Sequence, residues 1–225
     1  MSSVRTKEDF DKFFVENNGD PWGYQTKYVK ERLDKSIKFI QKSVSREYTG
    51  VIIEFGSYEG SFTTRLIANF PSSTIVAVDI SEVAHSQNLA KNGISKNVTF
   101  FCEDMLKFDF RTHLNKSESI FLLLECLYYL SDSEREKMVQ TIHENAVSNK
   151  TLFISSPMVG GKYFSEKDLI SLLEKYNYKK TDFAILNSKV YRFSLLNQIV
   201  SIMGQYSKLI RKKYANQIIF KFEKK

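Results

Sequence analysis

The chain has 225 residues, of which 42% are hydrophobic and 26% charged, with nine Gly and three Pro. This composition suits one domain with a substantial core and excludes a largely disordered or collagen-like chain. The net charge of +7 admits nucleic acid, an anionic membrane or a phosphorylated substrate as partner, but it is unevenly spread: residues 189–225 hold nine Lys or Arg against one acid, Glu223, leaving residues 1–188 close to neutral.

The N-terminal MSSVRTKEDFDKFF has no apolar run of the kind a signal peptide needs. No later stretch approaches the roughly 18 consecutive apolar residues of a spanning helix, so a cytoplasmic location is expected. Residues 6–18 and 24–43 read as two helices separated by the break NNGDPWG, where Gly19, Pro21 and Gly23 punctuate the chain. In the second helix Tyr28, Leu33, Ile37 and Ile40 form an apolar stripe. The runs VIIEF (51–55), TIVAVD (74–79), VTFFCED (98–104), IFLLLEC (120–126) and TLFISS (151–156) are short, rich in β-branched or aromatic residues, and nearly continuous in apolarity. Continuous rather than alternating apolarity predicts strands covered on both faces, as in a parallel sheet. Between and after them, residues 60–70, 81–91, 131–148 and 165–176 have helical spacing, with Ser81 a simple cap and Ser165 a partial capping box with Asp168. Strand then helix, repeated, predicts an α/β doubly wound domain.

A sixth strand is expected near 180–186 and a seventh near 216–222, with VYRFSLL (190–196) ambiguous between strand and helix. Between these strands Leu195, Ile199, Met203, Tyr206, Leu209, Ile210 and Tyr214 mark a basic amphipathic helix near 194–213. Cys102 and Cys126 both lie in strand-like runs and read as buried thiols. The three histidines are scattered without ligand spacing, so no metal site is expected.

The informative segment is VIIEFGSYEGSFTTRL. Directly after a strand, Glu54-x-Gly56-x-x-x-Gly60 opens a helix, and its glycines permit a tight turn and close approach of backbone to a ligand. The spacing is neither that of the dinucleotide fingerprint nor that of a P-loop, which needs Gly-Lys-Ser/Thr where this chain has Gly60-Ser61-Phe62. The ligand therefore carries no pyrophosphate. Asp79 ends the second strand, where a carboxylate can accept both hydroxyls of a ribose, and Asp104 ends the third, within reach of an adenine amino group, with Met105 beside the base. Either acid also fits an ordinary turn or helix-cap role.

These residues together resemble the S-adenosylmethionine-dependent methyltransferases of the Rossmann-like class. Glu54-x-Gly56-x-x-x-Gly60 resembles their first motif, Asp79 their ribose acid, Glu103-Asp104 their adenine-side acids, and LLLECLYYL (122–130) their fourth-strand motif. Within the class, Asp20-Pro21-Trp22-Gly23-Tyr24 followed by Tyr28 and Arg32, then Glu125 to Leu130, then Tyr191-Arg192-Phe193, resemble the nodulation-type N-methyltransferases acting on chitooligosaccharides. Val29 stands where that group carries an acid, and the chain runs on past Arg192 into the basic helix. The resemblance implies a Rossmann-like fold with a mostly parallel seven-stranded sheet, an antiparallel last strand and helices on both faces. It also implies a helical cap over residues 1–45 and a methyltransferase domain over 46–225. It implies S-adenosylmethionine as cofactor, held by Trp22, Glu54, Gly56, Ser57, Gly60, Asp79, Ile80, Glu103, Asp104, Met105 and Glu125. Glu125, Tyr128, Tyr24 and Tyr129 are implied as the groups that orient or deprotonate the acceptor.

The expected activity is methyl transfer to nitrogen or oxygen of a small molecule, a sugar or sugar-nucleotide. An RNA or protein methyltransferase, or a cofactor-binding module without turnover, is the alternative. No nucleic-acid partner is expected, because the positive excess lies in the C-terminal extension. There, Lys208, Arg211, Lys212 and Lys213 beside an apolar stripe fit two readings: a helix on an anionic membrane surface, or, the favoured one, a helix docked on the core with its lysines solvated.

Overall fold

The five continuous apolar runs become the parallel strands at the centre of one sheet. The computed structural model describes residues 6–114, 118–145, 150–158, 163, 165–190 and 194–224. Strands β1 (Val51–Phe55), β2 (Thr74–Asp79), β3 (Val98–Cys102), β4 (Ser119–Leu124), β5 (Lys150–Pro157), β6 (Tyr178–Ser188) and β7 (Ala215–Lys224) lie in the order β3-β2-β1-β4-β5-β7-β6. Strands β1 to β5 pair in parallel, and β7 alone runs against its neighbours β5 and β6. The order turns back between β1 and β4, so a crevice opens at the carboxyl ends of those two strands. The chain leaves β1, β2, β3, β4 and β6, and enters β7, along that same edge.

Period-two alternation sorts the strand side chains onto two covered faces. On one face Ile52, Ile75, Ile120 and Phe153 pack with Leu33, Ile37 and Ile40 of helix α2 (Lys27–Gln41) and with Phe62 and Leu66 of helix α3 (Ser61–Asn69). On the other, Ile53, Phe55, Phe121 and Leu123 pack with Met138, Val139 and Ile142 of helix α5 (Asp132–Asn145) and Leu169 and Leu173 of helix α6 (Glu166–Glu174). Burying an aliphatic or aromatic side chain of this size contributes about 1.5–3 kcal/mol, which is why these strands tolerate no polar alternation. Helix α1 (Lys7–Glu16) has a full capping box from Thr6 and Asp9 and buries only Phe14. It is tied to helix α4 (Glu82–Asn92) by Asp11, which accepts from Ser81 Oγ at 2.6 Å, and by a Lys7–Glu82 ion pair at 2.6 Å. Ser165 and Asp168 complete a full capping box rather than a partial one.

Three expectations need correction. β3 is an edge strand, only partly covered, and ends at Cys102, so this thiol is exposed while Cys126 is buried. Continuous apolarity in VTFFCED overstated its burial. The C-terminal helix is two helices, α7 (Ser194–Tyr206) and α8 (Lys208–Tyr214), broken at Ser207, whose side chain caps α8 by accepting from the Ile210 N–H. Its apolar stripe does not face the core: Leu195, Tyr206 and Leu209 are 70%, 89% and 82% exposed. Polar and small residues dock the hairpin instead. Asn197 Oδ1 accepts from the Ser188 N–H and Oγ, Gly204 lies against Ile185, and buried Arg211 pairs with Glu166 at 3.0 Å. Among the described residues no helix is long and apolar enough to cross a membrane. Tyr191, Arg192 and Phe193 lie outside the described residues.

Candidate active site

Three residues in five adopt left-handed backbone after β1: Gly56 at φ 71°, Tyr58 at 51° and Gly60 at 84°. The Gly56 and Ser57 N–H groups both donate to the Val78 carbonyl, at 2.8 and 3.0 Å, folding the turn onto the end of β2. A Cβ on Gly56 would stand 2.8 Å from that of Cys126, so glycine lets the turn pass the chain leaving β4. Gly60 serves a different contact. A Cβ there would overlap Asn88 and Asn92 of α4, so this glycine seats α3 on α4, and neither it nor Ser57 borders either of the two cavities described below. A left-handed tyrosine costs of order 1–3 kcal/mol. Tyr58 is held there because its N–H donates to Asp79 Oδ2 at 2.7 Å and its hydroxyl to the Gly19 carbonyl at 3.1 Å.

The crevice between β1 and β4 holds a cavity of about 130 Å³. Toward β2 and β3 its wall carries Asp79, Ile80, Glu103, Asp104 and Met105. Asp79 accepts the Tyr58 N–H on Oδ2 and the Ser81 N–H on Oδ1, with the Ile80 N–H also acting on the carboxylate. Burial pushes its carboxyl up to about 6 against those hydrogen bonds. Asp104 accepts from the Leu106 N–H at 2.9 Å. Glu54 lies in an annex of about 20 Å³ bordered by Tyr24, Arg32, Gly56 and Glu125, large enough for one water. Burial pushes Glu54 up to about 8. Its Oε2 accepts from Thr63 Oγ, which accepts from Asn88, which accepts in turn from Asn92, a buried polar chain into α4.

Toward β4 the wall is aromatic. Glu125, left-handed at φ 59°, aims into the cavity from the end of β4. Its Oε1 accepts from Ser155 Oγ at 2.9 Å and its Oε2 from Gln217 Nε2 at 3.2 Å, with Arg32 Nη1 3.7 Å away. Burial raises the Glu125 carboxyl, and Arg32, Ser155 and Gln217 oppose the rise. Arg32 Nε is buried and has no hydrogen-bond partner among the described residues. The DPWGY break forms the lid: Asp20 accepts from the Tyr24 and Gln25 N–H groups, which turns Trp22 and Tyr24 inward. Trp22 Nε1 donates to Tyr129 Oη at 2.9 Å, and Tyr58 packs against both Trp22 and Tyr24, with ring centroids 4.7 and 4.6 Å apart. Burial pushes Tyr24 up to about 12 and Tyr128 higher still.

Of the sequence-derived candidates, Trp22, Tyr24, Gly56, Asp79, Ile80, Glu103, Asp104, Met105, Glu125, Tyr128 and Tyr129 come together around the main cavity, with Glu54 in its annex. The sequence reading gave no site role to Arg32, Tyr58, Phe10 or Phe14, all on the wall. Arg32 carried a signal: it interrupts the apolar face of α2 between Val29, Leu33 and Ser36, where a charge is buried only with a partner.

The methyltransferase-domain family matches residues 52–147. A search of curated protein sequences found no match. Among solved structures, the N-methyltransferase NodS from Bradyrhizobium japonicum WM9, in complex with S-adenosyl-L-homocysteine, matches with a TM-score of 0.69 at 15% identity, over 98% of each chain. The magnesium protoporphyrin IX methyltransferase ChlM from Synechocystis PCC 6803, with bound SAM, matches with a TM-score of 0.65 at 14% identity, over 100% of this chain and 99% of that one. The 1,6-didemethyltoxoflavin-N1-methyltransferase of Burkholderia thailandensis, with bound 1,6-didemethyltoxoflavin and S-adenosylhomocysteine, matches at 0.65 and 15%, over 97% and 86%. At such identities these likenesses establish the fold alone, that of the class I S-adenosylmethionine-dependent methyltransferases.

Proposed function

We propose that the chain transfers a methyl group from S-adenosylmethionine to a nitrogen or oxygen of a small molecule, with a sugar or sugar-nucleotide as the first class to test. The carrying observation is the charge pattern of the crevice. Five acidic side chains, Asp79, Glu103, Asp104, Glu125 and the largely protonated Glu54, border the two cavities against one cation, Arg32, already engaged by Glu125. Such a wall suits a cationic nucleoside and repels pyrophosphate.

The residues fit that cofactor. Asp79 borders the cavity as a carboxylate able to accept from ribose hydroxyls, and Asp104 stands one strand further out for the base. Glu54, in an annex of single-water size, suits an ammonium group, and the orphan Arg32 Nε suits a carboxylate. When bound, S-adenosylmethionine supplies a methyl group already activated by its sulfonium. The remaining task of the chain is alignment and exclusion of water, which the Trp22, Tyr24 and Tyr58 lid performs. Tyr24 and Tyr128, with phenols pushed upward, act as hydrogen-bond donors rather than bases. Glu125 is the group that orients an acceptor N–H or O–H, or takes its proton directly or through water.

The small-molecule reading is supported by a cavity walled with Phe10, Trp22, Tyr24, Tyr128 and Tyr129 and roofed by the N-terminal segment. Such a wall favours the apolar faces of sugars or heterocycles over a phosphate backbone. A screen with methyl-labelled cofactor tests it, offering amino sugars, chitooligosaccharides with a free amine, sugar-nucleotides, RNA and protein to the wild type and to E125Q. Label in a small molecule, lost with E125Q, is expected. Label confined to RNA or protein overturns the acceptor class.

A further inference from the structure

The α7–α8 hairpin is built inside out. Its inward positions are Asn197, Ser201, Gly204 and the paired Arg211, while Leu195, Leu196, Ile199, Ile202, Met203, Tyr206 and Leu209 are 41–89% exposed. Elsewhere among the described residues only Val15, Leu89 and Ile94 are exposed large apolar side chains, each isolated from this group in sequence. A contiguous apolar patch of this kind is costly in water and marks a contact surface. Its electrostatic frame is one-sided: Lys189, Lys208, Lys212 and Lys213 are exposed around it, and no Asp or Glu occurs from Phe183 to Phe222.

From this geometry we infer that the hairpin docks the protein on an anionic lipid surface, inserting the apolar face to acyl-chain depth with the lysines at the headgroups. A second copy of the chain is a poorer occupant, because a self-complementary contact would set these lysines against one another with no acid between them. The hairpin joins the end of β6 to the start of β7 and so stands on the carboxyl edge of the sheet, as does the Asp79–Glu125 crevice. Docking therefore brings that edge to the bilayer. The inference stands independently of the methyl-transfer reading.

The test is sedimentation of the full chain with phosphatidylcholine vesicles, with and without one third phosphatidylglycerol, at low and high salt. Wild type should sediment with the anionic vesicles at low salt, weakly at high salt, and not with the neutral ones. K208E/K212E/K213E should weaken binding by at least about fivefold per lysine, and I202D/L209D should abolish it. All three proteins should give the same circular dichroism spectrum and S-adenosylmethionine titration, since every altered side chain is exposed. Equal or absent binding of the wild type in all conditions overturns the inference. So does a concentration-dependent dimer of the wild type, in analytical ultracentrifugation, that I202D/L209D converts to monomer.

Discussion

Replacing Glu54 with glutamine should strengthen the fold while weakening the site, and both effects follow from one buried carboxyl. Burial raises the Glu54 carboxyl from 4.5 to about 8, against the Thr63 hydrogen bond and with Asp79 adding to the rise. A raised acid binds its proton more tightly folded than unfolded. Its contribution is therefore fully present below pH 4.5 and is lost progressively as pH rises toward 8. At 1.36 kcal/mol per unit, protonating Glu54 on folding costs about 3 kcal/mol at pH 7 and on the order of 4 kcal/mol at pH 8. Glutamine is neutral throughout and its Oε1 can still accept from Thr63. E54Q should thus raise the midpoint of thermal unfolding near pH 8 by roughly 8–16 °C. If Glu54 faces the ammonium of S-adenosylmethionine, binding selects the ionised form, only about one tenth of molecules at pH 7. Wild-type affinity should then rise roughly tenfold between pH 6.5 and 8 and level off above, with a proton released on binding. E54Q should bind at least about tenfold more weakly at pH 8 and show no slope in that window. Paired thermal denaturation and calorimetric titration at several pH values measure both arms. An E54Q protein that melts lower than wild type, or keeps the wild-type slope, refutes the reasoning.

Further expectations follow from individual contacts. D79N should weaken S-adenosylmethionine binding by about ten- to a hundredfold by titration, since a carboxylate accepting ribose hydroxyls is replaced by a group with one acceptor oxygen. E125Q leaves Arg32 without its counter-charge and should cost about 3–5 kcal/mol in urea unfolding, whereas R32M/E125Q should recover much of that stability without recovering methyl transfer. G60A should lower the unfolding free energy, through its left-handed backbone and its overlap with Asn88 and Asn92, by about 2–3 kcal/mol in urea denaturation. Cofactor affinity of G60A, measured well below the midpoint, should change only a few-fold, because Gly60 packs helices and does not line the cavity.

What was legible in the sequence had a local cause. Strands β1, β2, β4 and β5 declared themselves through continuous apolarity, because both faces of the sheet are covered there. Glu54, Asp79 and Glu125 were visible as acids closing or interrupting those strands. What escaped depended on partners distant in sequence. Apolarity in Val98–Cys102 cannot report that β3 is the last strand on its side of the sheet, so Cys102 was misread as buried. The stripe from Leu195 to Leu209 has helical period, but period does not say which side faces the core. Asn197 against Ser188, and Arg211 against Glu166, decide that, and both partners lie outside α7 and α8. Arg32 meets Glu125 across 93 residues, and Tyr58 takes left-handed backbone because Asp79 and Gly19 capture its two ends. Gly60 also seats α3 against Asn88 and Asn92 of α4, a contact that depends on a helix distant in sequence.

Calorimetric titration of the full chain at pH 8 tests most directly whether the crevice between β1 and β4 holds S-adenosylmethionine. Saturable one-to-one binding of both S-adenosylmethionine and S-adenosylhomocysteine is expected, weakened by D79N with the fold intact. No heat from either ligand at high micromolar concentration, or binding indifferent to D79N, would contradict it.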